Sequence, residues 1–347
     1  MMRLSIIIPV YNAERWLTEL VESLNRQTCQ DFEVVFVNDG SSDNSQEILN
    51  ELCRKDARFH VFRQRNQGVS VARNIGLVHI RGDYFTFVDS DDVLNDHTVE
   101  DWNWTVVENN LDCLVEQDLT RFSSQIPLEA SLPVDGMLSV YGQPEAKRRF
   151  LTGSWKGFVA GKIYRTSCFR YLRFYSEISL WEDLLFFIQA LEKGARWGFS
   201  TGSHYFYRQM NTSLSHRGVT ETTMSNVLEV SRQALEAMAE VGISTQEMQR
   251  AWSANFLCFY HHVLPQIYAK SSGHMRHHMD ECLQHVAMLL QMPPMGKTET
   301  FFMSCLYGHG YLTWLRMGRV AKRLCLLQGR RTSTKRVFSL REKLQYS

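Results

Sequence analysis

The sequence predicts an α/β protein in which helices flank a mainly parallel β-sheet. In the first hundred residues, short apolar runs alternate with segments whose apolar residues recur at helical spacing. Strands and helices that alternate at this length are typical of right-handed βαβ units, which build parallel sheets. Beyond about residue 217 only helical spacing is found, so we expect a helical C-terminal region to follow the sheet.

Four strands are predicted in the N-terminal part. Residues 4–10 form an apolar run with three consecutive isoleucines, and further β-rich runs occupy residues 32–37, 59–62 and 84–88. The last of these runs ends abruptly in four polar residues. Such short, bounded apolar runs are typical of buried strands.

A helix is predicted between each pair of neighbouring strands. The first has one apolar face, and the second begins at Asn44, which Glu47 follows at the spacing of a capping box. The third carries Ala72, Ile75 and Gly76. The apolar face of the first helix consists of Leu17, Leu20, Val21 and Leu24.

The pattern is weaker from about residue 113 to 165, and residues 125–143 are predicted to be a long loop or excursion. A helix over 182–191 and a short aromatic strand over 205–208 follow, and then a boundary near 216–222. We therefore divide the chain into a sheet-containing domain, residues 1–216, and a helical region, residues 217–347. Helices are predicted there at 227–241, 246–264 and 275–290.

Composition excludes several classes of protein. The 347 residues include 38 Lys and Arg against 37 Asp and Glu, and this balance argues against a nucleic-acid partner. The N-terminal apolar run is too short for a signal peptide, and no run reaches the roughly 18 apolar residues of a spanning helix. Eight scattered cysteines without a CxxC pair fit a reducing compartment. A cytoplasmic protein, or one peripheral on the inner face of a membrane, is expected.

Polar side chains follow three of the predicted strands. The first strand runs into Pro9, Tyr11 and Asn12, and the others run into two acidic segments. Ligands of open parallel sheets bind at the carboxyl ends of the strands. We therefore expect all three ends to meet at one rim. The acidic segments are Asn38-Asp39-Gly-Ser-Ser-Asp43 and Asp89-Ser90-Asp91-Asp92.

The second acidic segment places three carboxylates in four residues, and these repel one another unless a cation lies among them. An oxygen-only D-x-D set suits Mg²⁺ or Mn²⁺, and Mg²⁺ favours sites that substrate phosphates complete. A diphosphate ligand is therefore implied. A solvated acidic turn would have the same local sequence, and the convergence of the other strand ends favours the metal site over it.

Two further segments fit a nucleotide site. Asp39 can accept hydrogen bonds from a nucleobase, and Tyr11 offers a face for stacking. Gly68, in the loop that opens the third helix, allows close backbone approach, and Arg73 can reach a phosphate. Turn chemistry alone would also explain the Asp-Gly-Ser-Ser segment.

A pair of carboxylates, Glu182 and Asp183, stands directly before a strongly apolar helix. Acidic residues at this position can simply complement the helix dipole. In a transfer reaction, the same pair would supply the general base that accepts a proton from an attacking hydroxyl.

Taken in order, these segments resemble family 2 inverting glycosyltransferases of GT-A fold, and the resemblance covers roughly residues 3–216. Trp181-Glu182-Asp183 and Tyr205-Phe-Tyr207-Arg208…Ser213-Leu-Ser215-His216 also fit. The principal motifs are Ser5-Ile-Ile-Ile-Pro-Val-Tyr-Asn12, Val37-Asn38-Asp39-Gly-Ser-Ser-Asp43, Asn66-Gln-Gly-Val-Ser-Val-Ala-Arg-Asn74-Ile-Gly76 and Phe87-Val-Asp-Ser-Asp-Asp92.

The resemblance implies a role for each motif residue. Asp183, with Glu182, would be the catalytic base, and a Mn²⁺ or Mg²⁺ ion would be held by Asp91 and Asp89, with His216 near the metal or diphosphate. Asp92 would share the metal role. The residues implied in binding the nucleotide sugar are Pro9, Tyr11, Asp39, Asn66, Gly68, Arg73, Asp89 and Ser90.

The resemblance implies transfer of one sugar, from a nucleotide-diphosphate donor expected to be UDP-linked, to a glycan or lipid-linked acceptor in cell-surface polysaccharide synthesis. The Gln-x-x-Arg-Trp motif of processive synthases is missing, and only Arg196-Trp197 matches its end. A nucleotidyltransferase and a non-catalytic sugar-nucleotide-binding protein remain as alternatives.

The C-terminal segment alternates basic and apolar residues. A basic amphipathic helix would bind an anionic membrane surface, which would suit a lipid-linked acceptor. A solvated charged tail is the other interpretation. The basic residues include Arg316, Arg319, Lys322, Arg323, Arg330, Arg331, Lys335, Arg336, Arg341 and Lys343.

Overall fold

The computed structural model describes residues 3–123, 125–153, 157–209 and 220–262, together with single positions between 273 and 290. The strands are Leu4–Val10 (β1), Phe32–Asp39 (β2), Phe59–Gln64 (β3), Tyr84–Phe87 (β4), Val93–Leu94 (β5), Cys113–Glu116 (β6), Thr120–Phe122 (β7), Leu138–Gly142 (β8), Lys162–Arg165 (β9), Arg196–Ser200 (β10) and Tyr205–Arg208 (β11). The helices are Leu17–Asn25 (α1), Ser45–Lys55 (α2), Val69–His79 (α3), Thr98–Glu108 (α4), Gln143–Thr152 (α5), Thr166–Phe169 (α6), Glu182–Leu191 (α7), Glu221–Glu240 (α8) and Thr245–His262 (α9).

Within the described residues, the main sheet has eight strands in the order β3-β2-β1-β4-β9-β6-β10-β8. The pairings of β1 with β2, β2 with β3, β1 with β4 and β6 with β10 are parallel. The pairings that involve β8 or β9 are antiparallel. The predicted mainly parallel α/β sheet is therefore confirmed, with antiparallel strands in its C-terminal half.

The structure corrects the prediction of a loop over residues 125–143, because this segment includes β8, an edge strand paired with β10. The side chains of β8 are only partly buried or exposed, so the segment lacks the continuous apolar run that marks a central strand. The predicted capping box at Asn44 is also absent. Asn44 precedes α2 without a side-chain capping bond, and its amide groups donate to Glu14 Oε2 instead.

A second, three-stranded sheet lies beside the first and has the order β5-β11-β7. β5 follows the acidic segment 89–92 directly, and its residues Val93 and Leu94 pair antiparallel with Phe206 and Tyr205. The strand predicted at 205–208 therefore lies next to the polar end of β4.

Apolar side chains fill both faces of the main sheet. On one face α7, α8 and α9 share a buried cluster, in which the rings of Phe174 and Phe186 stack at 4.2 Å between centroids. The division at residue 216 falls outside the described residues and stays a prediction. Among the described residues, no helix combines the length and apolar composition that crossing a bilayer would require.

Gly76 lets α3 lie directly on β1. A Cβ at this position would lie 2.3 Å from Ile7 Cγ2, so any other residue would push the helix away from the strand. The close packing brings Arg73, which lies one turn earlier on α3, towards the carboxyl ends of the central strands.

Candidate active site

The loops after β1 and β2 are joined by hydrogen bonds. The Asn12 N–H donates to Ser41 Oγ at 3.0 Å, and the Ser42 N–H donates to Asn12 Oδ1 at 2.8 Å. Asn12 adopts φ 51°, a left-handed conformation that asparagine tolerates. The joined loops leave Tyr11 with 48% of its surface exposed, as stacking of a base on its ring would require. Pro9, by contrast, is buried within β1.

Asp39 ends β2 and organises the loop before α3. Its Oδ1 accepts from Gln64 Nε2 at 2.6 Å and from the Gln67 N–H at 2.8 Å, and its Oδ2 accepts from the Gly68 N–H at 2.8 Å. A carboxylate has about four accepting positions, so three protein donors leave one for a ligand. Asp39 therefore shapes the loop before α3 and keeps one accepting position for a ligand.

The loop after β2 and the loop before α3 border an open cleft of about 530 Å³. Gly40 adopts φ 71°, and a Cβ there would lie 2.7 Å from the Asn66 backbone nitrogen. Glycine is therefore required where the β2 loop passes the loop before α3. Asn66 and Gly68 are both exposed beside it. The cleft is lined by Gly40, Arg63, Gln64, Arg65 and Asn66.

Arg73 connects two predicted motifs that are more than ninety residues apart. Its Nη2 lies 3.2 Å from Asp89 Oδ1, and its Nη1 lies 3.0 Å from Glu182 Oε1. Burial by itself lowers the pKa of Arg73, but the carboxylates of Asp89, Glu182 and Asp183 outweigh burial, and the pKa is raised. Arg73 is thus a permanent cation that brings the end of β4 and the start of α7 to one place.

The carboxylate pair opens α7. Trp181 precedes it in a left-handed conformation, φ 66°, and this sharp turn sets the direction of the helix. Burial, and then the charge of Asp183, raise the pKa of Glu182 to about 6 although Arg73 opposes them. Burial also raises the pKa of Asp183, against the opposing charges of Arg73 and Lys162. Both groups are therefore stronger bases than exposed carboxylates.

Asp91 has the properties of a cation ligand. Burial, and then the nearby charge of Asp89, raise its pKa to about 6. Within the described residues, no side chain or backbone amide of another residue donates a hydrogen bond to its carboxylate. Arg73 balances part of the charge of Asp89, and the carboxylate of Asp91 is open to a divalent ion. Among the described residues, no group of three or more His, Cys, Asp or Glu side chains could hold a metal ion. A diphosphate and water are the ligands that would complete the coordination of Mg²⁺ at such a pair.

Three further predicted positions are Ser90, Asp92 and His216. Ser90 is half-buried between Asp89 and Asp91, and His216 lies outside the described residues. Asp92 is buried, and both of its oxygens accept bonds from β11.

Tyr205 and Arg208 of β11 are buried, and both donate hydrogen bonds to the acidic segment 89–92, although the sequence alone assigns neither of them a role. The signal that could have identified them is an arginine and a tyrosine in an otherwise apolar strand, because buried polar groups need partners.

The sequence model of glycosyl transferase family 2 matches residues 5–113. Residues 5–113 therefore form a glycosyl transferase family 2 domain. Among related proteins, the chain is 32% identical over 216 residues to the uncharacterized glycosyltransferase EpsJ of Bacillus subtilis, an alignment that covers 61% of this chain and 62% of EpsJ.

A second relative is the glycosyltransferase GlyA of Streptococcus pneumoniae. It is 34% identical over 183 residues, which cover 50% of this chain and 26% of GlyA. The chain thus spans less than two thirds of the length of either relative.

Solved structures confirm the GT-A fold. Staphylococcus aureus TarS 1-349 in complex with UDP superposes with a TM-score of 0.63 at 20% identity, over 92% of each chain. The complex of the same TarS fragment with UDP-GlcNAc superposes with a TM-score of 0.64 at 22% identity, over 90% of this chain and 88% of that one.

Proposed function

We propose that this protein is an inverting glycosyltransferase that moves a single sugar from a nucleotide-diphosphate donor, UDP-linked, to a hydroxyl of a glycan or lipid-linked acceptor in cell-surface polysaccharide synthesis. The observation that carries the proposal is the pair of contacts of Arg73, to Asp89 at 3.2 Å and to Glu182 at 3.0 Å. They bring a donor-binding turn and a basic carboxylate pair to one rim. TarS, which shares the fold, forms complexes with UDP and UDP-GlcNAc, and this supports the choice of carrier.

The chain's own residues divide the reaction between them. Tyr11 offers its exposed ring to the base, and the loop held by Asp39 binds the nucleoside. Asp183 accepts the proton of the acceptor hydroxyl as that oxygen attacks the anomeric carbon from the face opposite the diphosphate. The Leu184 N–H holds Asp183 Oδ1 at 2.8 Å, and Arg73 holds the neighbouring Glu182. Inversion follows from this single displacement.

Asp91 and Asp89 would hold a Mn²⁺ or Mg²⁺ ion, whose charge stabilises the departing nucleotide diphosphate. Arg73, which already contacts Asp89, adds a fixed positive charge on the same side. A membrane partner through the basic C-terminal segment stays a prediction, because that segment lies outside the described residues.

A screen of nucleotide sugars tests the proposal directly. The full chain is incubated with Mn²⁺ and each donor in turn, and the released nucleotide is measured with and without Asp183→Asn. We expect slow release of UDP from one UDP-sugar, and no release with the variant. Formation of a nucleoside triphosphate and a sugar 1-phosphate when pyrophosphate is added to the donor would instead indicate a nucleotidyltransferase. Binding without any release would indicate a non-catalytic protein.

Asp91→Ala should weaken metal-dependent donor binding. Calorimetry with UDP in the presence of Mn²⁺ should give a lower affinity than the wild type, while the affinity in excess chelator should be equal for the two proteins. Asp135→Ala, at an exposed position far along the chain, serves as the control. Unchanged affinity of Asp91→Ala with Mn²⁺ would contradict the assignment.

Turnover should decline as the pH falls through about 6. The pKa of Glu182 is raised to about 6 and that of Asp183 is raised, so acid protonates the pair and removes the base. Glu182→Gln should move the acid limb of the pH profile of kcat to lower pH. The substitution removes a neighbouring negative charge, so the positive charge of Arg73 acts on Asp183 alone and lowers its pKa. Glu22→Gln, on the exposed face of α1, should leave the limb in place. A limb that is identical in all three proteins would exclude this pair as its origin.

A further inference from the structure

We propose that β11 is the positioning element of the acidic turn 89–92, in which Tyr205 and Arg208 fix Asp89 and Asp91, and Asp92 anchors the turn and is not a metal ligand. The inference rests on the proposed function, since it assigns the geometry of the same metal site. It goes beyond the resemblance, which groups Asp92 with the other two acidic residues.

Tyr205 connects two residues of the turn. Its hydroxyl donates to Asp92 Oδ2 at 2.6 Å and accepts from the Asp89 N–H at 3.0 Å. The tyrosine is completely buried, so neither of these hydrogen bonds competes with water. One hydroxyl thus holds the first and the last residue of the turn.

Arg208 holds the turn from the other end of the same strand. Its backbone N–H donates to Asp92 Oδ1 at 2.7 Å, and its Nε–H donates to the Asp91 carbonyl at 2.8 Å. The guanidinium lies between the rings of Trp16 and Phe122, at 4.3 and 4.4 Å from their centroids, and forms an ion pair with Glu19. The donor is therefore held in place on both faces.

These contacts separate the roles of the acidic residues. Asp92 is 1% exposed, and both of its oxygens already accept bonds, so ligation of a metal would require those bonds to break. The Asp91 backbone is held while its carboxylate stays available. The turn is also fixed where it continues into β5, because β5 pairs with β11. A turn positioned in advance binds an ion without first having to be ordered.

Binding of UDP to the full chain, measured by calorimetry with Mn²⁺ or with excess chelator, tests the proposal without relying on turnover. Tyr205→Phe removes only the bridging hydroxyl, and we expect it to weaken the Mn²⁺-dependent affinity about five- to tenfold and to leave the affinity in chelator unchanged. Tyr164→Phe is the matched control, because Tyr164 is also fully buried but its hydroxyl has no hydrogen-bond partner among the described residues. It should change neither affinity.

The role of Asp92 is tested by comparing Asp92→Asn with Asp91→Asn. An anchoring carboxylate can be replaced in part by an amide that still accepts from the Arg208 N–H, so Asp92→Asn should lose no more Mn²⁺-dependent affinity than Tyr205→Phe. Asp91→Asn should lose it all. Melting curves show that each variant is folded.

Three results would overturn the inference. The first is an equal affinity of Tyr205→Phe and the wild type for UDP in the presence of Mn²⁺. The second is a loss of UDP affinity in Tyr205→Phe that is as large in excess chelator as with Mn²⁺. The third is a loss in Asp92→Asn as complete as in Asp91→Asn. A wild type that binds UDP no better with Mn²⁺ than with chelator would instead defeat the metal site of the proposed function, and the inference with it.

Discussion

Replacing Asp183 by Asn is expected to lower kcat by about 10²–10⁴ and to leave donor affinity unchanged. Asn has nearly the same shape and can still accept the 2.8 Å hydrogen bond from the Leu184 N–H. It cannot take a proton from the acceptor hydroxyl. Single-turnover kinetics with a saturating donor would measure the loss separately from binding.

The same variant should be more stable than the wild type at neutral pH. Burial raises the pKa of Asp183, which means that the folded protein disfavours its ionised form. The resulting cost is absent below the pKa of this group in the unfolded chain, grows as the pH rises, and is complete above the raised pKa of the folded protein. Asp183→Asn avoids this cost, so its melting temperature should exceed that of the wild type at pH 8, and the difference should shrink in acid.

Asp135→Asn is the control for both measurements, because Asp135 is exposed. It should change neither turnover nor melting temperature. Near-wild-type turnover of Asp183→Asn would remove this residue from the base role. A lower melting temperature at pH 8 would show that its ionised form is stabilised in the folded protein.

The central strands could be predicted from sequence because they are buried on both faces. The burial pattern of β1 and β2 is continuous, and such strands appear as unbroken apolar runs. β8 could not be predicted, because an edge strand has only part of its surface in the core and carries no such run. The antiparallel insertion of β9 between β4 and β6 depends on pairs of residues that lie 47 to 81 positions apart, which local patterns do not encode.

For the site, strand order made the convergence of Tyr11, Asp39 and Asp91 predictable, since all three follow parallel strands. The roles of individual carboxylates were not predictable. Asp91 and Asp92 are adjacent and chemically identical, yet the carboxylate of Asp91 is available, whereas that of Asp92 accepts hydrogen bonds from Tyr205 and Arg208. That difference depends on β11, which lies more than one hundred residues later in the sequence.

Replacing Arg73 by Met is expected to destabilise the fold by about 3–5 kcal/mol at pH 8, because it leaves buried carboxylates without their cation. Arg73 is 6% exposed, contacts Asp89 and Glu182, and lies over the ring of Phe174 at 5.3 Å. Met fills much of the same volume, so loss of charge and hydrogen bonds dominates the effect. The free energy of unfolding of Arg73→Lys should lie between those of the wild type and Arg73→Met, since an ammonium cannot form both bonds in the same fork geometry.

The pH dependence separates this electrostatic effect from a packing defect. Without Arg73 the pKa values of Glu182 and Asp183, which are already raised, should rise further. The destabilisation should then be largest at pH 8, where the carboxylates are ionised, and should diminish as the pH falls through about 6 and they bind protons. Urea unfolding of the wild type and the variant at pH 5 and pH 8 measures the difference.

Arg149→Met gives the reference for an ordinary ion pair. Arg149 and Glu145 form an exposed i,i+4 pair on α5, with side chains 53% and 47% exposed, and its loss should cost about 0.3–0.5 kcal/mol. An equal loss for Arg73→Met at both pH values would mean that Arg73 acts through packing alone. A loss of stability that is concentrated at high pH would establish that the carboxylates of Asp89, Glu182 and Asp183 repel one another across the rim. One buried cation then makes it possible for them to lie together in the folded protein.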